Sequence, residues 1–499
     1  MTGGNWLIDV RRPGADRRLD VRIADGVVAQ IVDHDEVDHD GVRYDAGGRW
    51  LVPGLYDGHA HLTQYAIQQS RIDLSTATSA AHAVDLVAAA AATAPQAGGS
   101  DSDEPLIGAR FRDGLWPEPL HKDLLDRRFG RRPVIMISAD LHCGWANSAG
   151  IALLGHPGHP TGVLKEEVWF EALMRLPQPS EQRTDALVEE VVGSAVRRGL
   201  VGLRDFEFAD NLTVWERRQH FGRTPIRVDC AVLAPELSDA TTRGLTSGQQ
   251  LPGSDGLLTL GPVKVFVDGS LNTRTALCHD RYPGTDGHGE TVLDHEALSE
   301  IMRQAQRRKL IMAVHAIGDL ANTIALDCFE RTGAGGSIEH AQLVADDDLG
   351  RYAVLGVTAS MQPWHAIDDW QVADRYWAGR TGRAFPFAAL VDAGAMIEFG
   401  SDAPVAPLDP WRAIAAAVDR ESIIGHPWHP EQQLSVADAL RFSTRGRGIV
   451  RAGQPADLVL LDADPYTLAA PELITVGVHA TAVAGHWLHG PSALVDCLP

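Results

Sequence analysis

Three observations in this 499-residue chain predict an α/β fold: a (β/α)8 TIM barrel with a small β-sandwich domain built from both termini and a long insertion after the first barrel strand. Eight short apolar runs alternate with helical stretches through the middle of the chain. Strand-like segments broken by turn residues occupy both ends. Over a hundred residues beyond an ordinary connection separate the first two apolar runs.

The N-terminal part, residues 1–50, opens with LDVRIADGVVAQIVD, two β-prone runs joined by Asp25-Gly26, the pair favoured in a type I′ hairpin. The barrel is expected over 51–444. Its strands are read at LVPGLYD (51–57), GLVGLRDF (199–206), RVDCAVLA (227–234), PVKVFVDG (262–269), LIMAVHA (310–316), GSIEHAQ (336–342), GVTASMQ (356–362) and AMIEFGSD (395–402). Segments such as HEALSEIMRQAQRRK supply the intervening helices. The insertion, about residues 70–185, holds an Ala-rich helix and two further strand-like runs, PLIGARF and PVIMISAD. An insertion of this length is usually a lid or binding lobe over a barrel mouth. Residues 445–499 return to short strands, ADLVLLDADP and TAVAGHWLHG, which complete the sandwich.

Composition narrows the function. Asp plus Glu number 66 against 44 for Lys plus Arg, a formal charge of −22 that repels phosphate backbones and anionic lipid, so neither nucleic acid nor a membrane surface is expected as a partner. No run approaches the ~18–20 apolar residues that span a bilayer, and the start MTGGNWLIDVRRPG lacks the pattern of a secretory signal. The five cysteines are scattered without CxxC spacing, which suits reduced thiols in a cytoplasmic protein. The acidic run 33–40 reads as a solvated loop. Only four basic residues are lysines (Lys122, Lys165, Lys264 and Lys309), and Lys264 alone lies within an apolar strand.

The residues able to do chemistry gather at the C-terminal ends of the strands, where barrel sites form. The first strand runs into Asp57-Gly-His59-Ala-His61, and residues two apart on a strand face the same way, so both imidazoles can meet one cation. Later strands end in His315, His340 and Asp402, while the fourth carries Lys264. Each has a bland alternative: a core histidine, a helix-capping acid, a lysine reaching for solvent. Six metal-compatible residues on five strands, most at one end, are hard to obtain by accident.

PGLYDGHAHL, the buried-lysine strand, the two later histidines and GSDAP together resemble the amidohydrolase superfamily, and GIVRAGQPADLVLLDADP is similar to its return to the β-sandwich. LHCGWANSAG, PTGVLKE, VKVFVDGSLNTRTA, HAIGD, IEHAQ, SMQPWH and FGSDAPVAPLDPW look like its YtcJ-like group, which includes N-substituted formamide deformylases. The resemblance implies two divalent metals, most simply Zn²⁺, with His59, His61 and Asp402 on one and His315 and His340 on the other. Lys264 would bridge them as a carbamate formed with CO₂. Burial favours the neutral amine that this reaction needs. Asp402 would serve as the proton shuttle. A single-metal deaminase would carry HxxE after the fifth strand, but Gly318 stands there. Cys143 and Glu166 are alternative bridging ligands, ranked below Lys264 because they fall in the insertion.

On the substrate side, His142 and His365 follow strand-like runs and are the better candidates, His365 as a partner for a developing oxyanion. Trp116, Trp145, Asn147, Glu166 and Trp364 are pocket candidates, against the plainer reading of the tryptophans as core. Arg274 could bind a carboxylate or pair with a surface acid, and Asp268 reads as a turn former. The expected activity is hydrolysis of a carbon–nitrogen bond in a small non-peptide amide. An ester or lactone hydrolase using the same site, or a catalytically silent binding barrel, are the alternatives. The resemblance also allows a homodimer.

Overall fold

The computed structural model describes residues 5–34, 41–93, 105–176, 179–220, 222, 224–234 and 243–495. Most of the acidic run 33–40, and Cys497, lie outside the described residues. Two compact units are formed: one by residues 1–62, 189–271 and 275–499, the other by 63–188 with 272–274.

The first unit holds the barrel. Eight parallel strands follow one another in chain order: Leu55–Ala60, Leu200–Asp205, Arg227–Leu233, Leu258–Phe266, Met312–Ala316, Gly336–His340, Thr358–Met361 and Met396–Phe399. The ring closes where the eighth strand meets the first: Ala60 and Ala403 form a parallel bridge, and the Asp402 N–H donates to His59 O at 2.7 Å. All eight expected runs are therefore barrel strands. One boundary differs: the run 51–57 divides between Arg43–Pro53, which belongs to the terminal sheet, and Leu55–Ala60. Gly54 sits between them, where an added Cβ would stand 2.4 Å from Val201 Cγ1, so the chain can change sheets only with a glycine.

The helices between strands carry their own start and stop signals. Asp294 caps His295–Arg307 by accepting from the N–H groups of Glu296 and Ala297, and Leu298, Met302 and Ala305 form its buried stripe. Burying a side chain such as Met302 is worth about 1.5–3 kcal/mol. Asp319–Thr332 ends at Gly333, whose φ of 65° is the left-handed value a C-cap requires. Among the described residues no helix is long and apolar enough to cross a membrane.

Both termini build a seven-stranded sheet in the order His486–His489, Val478–Val483, Leu458–Leu461, Arg43–Pro53, Asn5–Arg11, Arg18–Ala24, Val27–Asp33. The last strand curls back so that Val27 bridges Pro455, and one apolar core takes Leu7, Val21 and Leu51 from the N-terminal part with Leu458, Leu460 and Trp487 from the C-terminal part. This is the expected sandwich. Asp25 and Gly26 turn its hairpin with φ of 52° and 73°, both positive as a type I′ turn demands. The sheet is tied to the barrel by Arg227, whose guanidinium donates to both oxygens of Asp457 at 2.8 and 3.0 Å.

The second unit carries more strand than its sequence suggests. Its five-stranded sheet runs Val163–Lys165, Cys143–Ala146, Val134–Ser138, Leu106–Phe111, Ile72–Asp73. Alternation along Val134–Ser138 gives each face its own core: Val134 and Met136 pack with Phe111 and Trp145, Ile135 and Ile137 with Trp169 and Leu164.

Candidate metal centre

His59 and His61 leave the end of the first barrel strand on the same side, and Asp402 meets them from the end of the eighth. Asp402 Oδ1 lies 3.5 Å from both His59 Nε2 and His61 Nε2. Two local features allow this approach. Gly400 faces the His59 backbone so closely that a Cβ would stand 2.5 Å from the His59 nitrogen, and Asp402 itself takes a left-handed φ of 58°. A non-glycine residue held there costs about 1–3 kcal/mol, strain of the kind kept at functional sites.

A second pair of histidines lies near Asp402, one of them facing its other oxygen. His340 ends the sixth strand, and His365 stands in the first turn of the helix Pro363–Tyr376 that follows the seventh, with its Nε2 3.6 Å from Asp402 Oδ2. The potential ligand atoms of His59, His61 and Asp402 lie within 4.8 Å of one another, and so do those of His340, His365 and Asp402. All five residues are buried. Lys264 comes from the fourth strand, and its Nζ is 3.3 Å from His59 Nε2, over the rings of Phe206 (4.4 Å) and Phe266 (5.2 Å). His315 adjoins the centre by ring contact with His340, at 4.5 Å between centroids, and stands outside both triads. Its Nε2 is 3.1 Å from Gly269 O and 3.5 Å from Asp268 Oδ1.

Three buried side chains that sequence reasoning missed hold the histidines. Glu339 accepts from His59 Nδ1 at 2.6 Å and from Ser337 Oγ at 2.5 Å; it is fully buried. Gln362 Oε1 stands 2.8 Å from His340 Nδ1, and Gln342 Nε2 stands 3.0 Å from His365 Nδ1. The signal that singled out Lys264, an ionisable residue inside an apolar strand, applies equally to Glu339 in GSIEHAQ. Asp268 also has a different task from turn formation. Its carboxylate accepts the backbone N–H groups of Leu277, Ile317 and Gly318 at 2.9–3.0 Å, clamping the loops after the fourth and fifth strands.

Burial governs the proton equilibria. It brings the Lys264 amine down to about 8 against the pull of Glu339 and Asp402, and it holds His59 and His340 well below the usual imidazole value. Burial alone would raise Asp402, but the His61 hydrogen bond and the neighbouring His59, His340 and His365 outweigh it and keep the carboxyl well below its ordinary value. Neutral His59 and His340 imidazoles beside the Asp402 carboxylate make a donor set suited to a divalent cation. Among the described residues, His61 Nδ1 is buried without a hydrogen-bond partner.

Other candidates take other places. In the second unit, His142 Nδ1 pairs with Glu166 Oε2 at 2.8 Å. Asn147 is structural: it caps the helix Ser148–Leu153, its side-chain oxygen accepting from Gly150 and Val134 N–H while its amide donates to Arg132 O. Trp145 is fully buried core, and Trp116 is half-buried against the same cluster. Burial drives the Cys143 thiol upward, aided by Asp113 and Asp140, so it is poorly suited to serve as a thiolate ligand. Trp364 is half-buried beneath the Arg412 guanidinium, and Arg274 has a left-handed φ of 64°.

Comparison with known proteins agrees with this architecture. An amidohydrolase family model matches residues 43–489. The chain is 27% identical to the amidohydrolase YtcJ of Bacillus subtilis (strain 168), covering 98% of its own length and 99% of the relative's. It is 25% identical to the N-substituted formamide deformylase of Arthrobacter pascens over 88% of each chain. A crystal structure of an uncharacterized metal-dependent hydrolase from Pyrococcus horikoshii superposes with a TM-score of 0.76 at 25% identity, covering 94% of this chain and 99% of that one. The chain belongs to the amidohydrolase family.

Proposed function

We propose that this protein hydrolyses a carbon–nitrogen bond in a small non-peptide amide, with N-substituted formamides the first class to test. The observation that carries the reading is Asp402, held between the pairs His59/His61 and His340/His365 with the Lys264 amine 3.3 Å from His59. The resemblance to an N-substituted formamide deformylase supports the substrate class.

His59, His61 and Asp402 would hold one divalent ion, and His340 with His315 a second, zinc being the ion their nitrogen and oxygen donors suit. Bound there, the ions supply a water acidified enough to act as a nucleophile at neutral pH. Lys264 contributes through its neutral amine: reaction of Nζ with CO₂ releases one proton and leaves an anionic carbamate, adding the negative charge that four histidines and one aspartate lack. Asp402 carries the proton at a carboxylate oxygen, accepting it as the carbonyl carbon is attacked and returning it to the departing nitrogen. His365 faces the same carboxylate from the other side, where the carbonyl oxygen gains charge. His142, paired with Glu166, is assigned to the substrate-side group of the inserted unit.

The test is a panel of N-substituted formamides, acylated amines, cyclic amides, esters and lactones, run on the zinc-loaded protein and on Asp402→Asn. Turnover of an amide that the variant loses supports the reading. Ester turnover alone, or a variant as fast as the wild type, refutes it.

A further inference from the structure

We propose that Gln342 fixes His365 as an N–H donor, so that His365 acts on the substrate's carbonyl oxygen and binds no metal, although its ring lies within ligand distance of His340 and Asp402. The inference rests on the metal-hydrolase reading above and divides the histidines of that site by role.

A neutral imidazole carries one N–H and one lone pair, so a partner on one nitrogen decides what the other presents. His59 Nδ1 lies 2.6 Å from Glu339 Oε2, and a carboxylate only accepts; the proton sits on Nδ1 and the lone pair on Nε2 faces the centre. His340 is fixed the same way. Gln362 donates its own amide N–H to Ser360 O at 3.2 Å, which turns Oε1 toward His340 Nδ1 at 2.8 Å and leaves the His340 Nε2 lone pair for a cation.

His365 has the opposite partner. Gln342 presents its amide nitrogen to Nδ1 at 3.0 Å, and an amide nitrogen only donates, so Nδ1 accepts and the ring proton sits on Nε2. That Nε2 faces Asp402 Oδ2 at 3.6 Å, where an N–H complements the carboxylate and a lone pair would repel it. Both His365 and Gln342 are buried, and the His365 N–H to Gln362 O bond at 3.0 Å anchors the turn that carries the ring. Distance alone would admit His340, His365 and Asp402 as a metal triad. The proton on Nε2 removes His365 from it and makes it a donor for an oxygen gaining negative charge. Gln342 is the positioning residue. Turning its amide over would move the ring proton to Nδ1 and convert His365 into a ligand.

The experiment compares wild type, His365→Ala, Gln342→Glu and Gln342→Met for zinc per chain, zinc affinity, kcat and KM, with circular dichroism as the check on folding. His365→Ala should keep the wild-type zinc content while kcat falls about 10²-fold, the usual loss of one oxyanion donor. Gln342→Glu forces the proton onto Nδ1; it should lose kcat by a similar factor with KM little changed and zinc held at least as tightly. Gln342→Met leaves the ring free to keep its Nε2 proton and should be the faster of the two Gln342 variants. A His365→Ala protein that folds but loses an ion overturns the assignment, as does Gln342→Glu with wild-type kcat. If the wild type itself binds no divalent ion, the metal-hydrolase reading fails and this one falls with it. A zinc-loaded, active wild type isolates the role of His365.

Discussion

Replacing Lys264 by Met should stabilise the metal-free fold while abolishing turnover. The ammonium form of Lys264 has no solvent: its Nζ lies over Phe206 and Phe266 and beside His59, and burial lowers its pKa from 10.5 to about 8. That shift corresponds to about 3 kcal/mol by which the fold disfavours the charged amine, with Glu339 and Asp402 already opposing it. Met fills nearly the same volume without charge. The sign with pH follows from linkage. Below pH 8 the lysine is charged in both the folded and the unfolded chain, and the full cost is present. Between about 8 and 10.5 the folded chain has released its proton and the unfolded one has not, so wild-type stability rises; above 10.5 the cost is gone. Urea unfolding of both proteins after metal removal, at pH 7 and near pH 10, measures it. The variant should be up to about 3 kcal/mol more stable at pH 7, with the advantage shrinking at the higher pH. A variant less stable at pH 7, or an advantage independent of pH, would refute the argument that Lys264 is held against its charge.

Two further perturbations read the partners of the centre. Glu339→Gln keeps the shape but removes the carboxylate on His59 Nδ1, and should weaken zinc affinity about 10–100-fold with secondary structure intact; competition with a chelator reports it, and unchanged affinity would count against the pairing. Asp268→Asn turns an amide N–H toward backbone donors that now meet a carboxylate, and should cost about 2–3 kcal/mol in denaturant unfolding while loosening His315; a stability loss below about 0.5 kcal/mol, the scale of a surface change, would show that the clamp is idle.

The eight barrel strands were legible because a parallel sheet buried on both faces leaves continuous apolar runs, and the hairpin because Asp25-Gly26 can take two positive φ values. His59, His61 and Asp402 were legible from motif and strand position, since both place side chains at one barrel end. The change of sheets at Gly54 was not, because the run from Leu51 to Asp57 is apolar on either side of it and only packing against Val201 reveals the break. Nor were Gln342 and Gln362. An amide carries no charge to mark it, and its task depends on which atom faces a ring contributed by a neighbouring strand or helix. Asn147 misled for a related reason: a polar residue near aromatic ones resembles a pocket, and only its bonds to backbone show a cap.

The central claim, that this barrel is a two-metal hydrolase, is tested most directly by counting divalent ions in protein prepared with zinc and CO₂ supplied, alongside formamide hydrolysis before and after chelation. The account predicts two ions per chain, activity lost on their removal and regained when zinc and bicarbonate are returned. Fewer than one ion per chain, or hydrolysis that survives chelation, would contradict it.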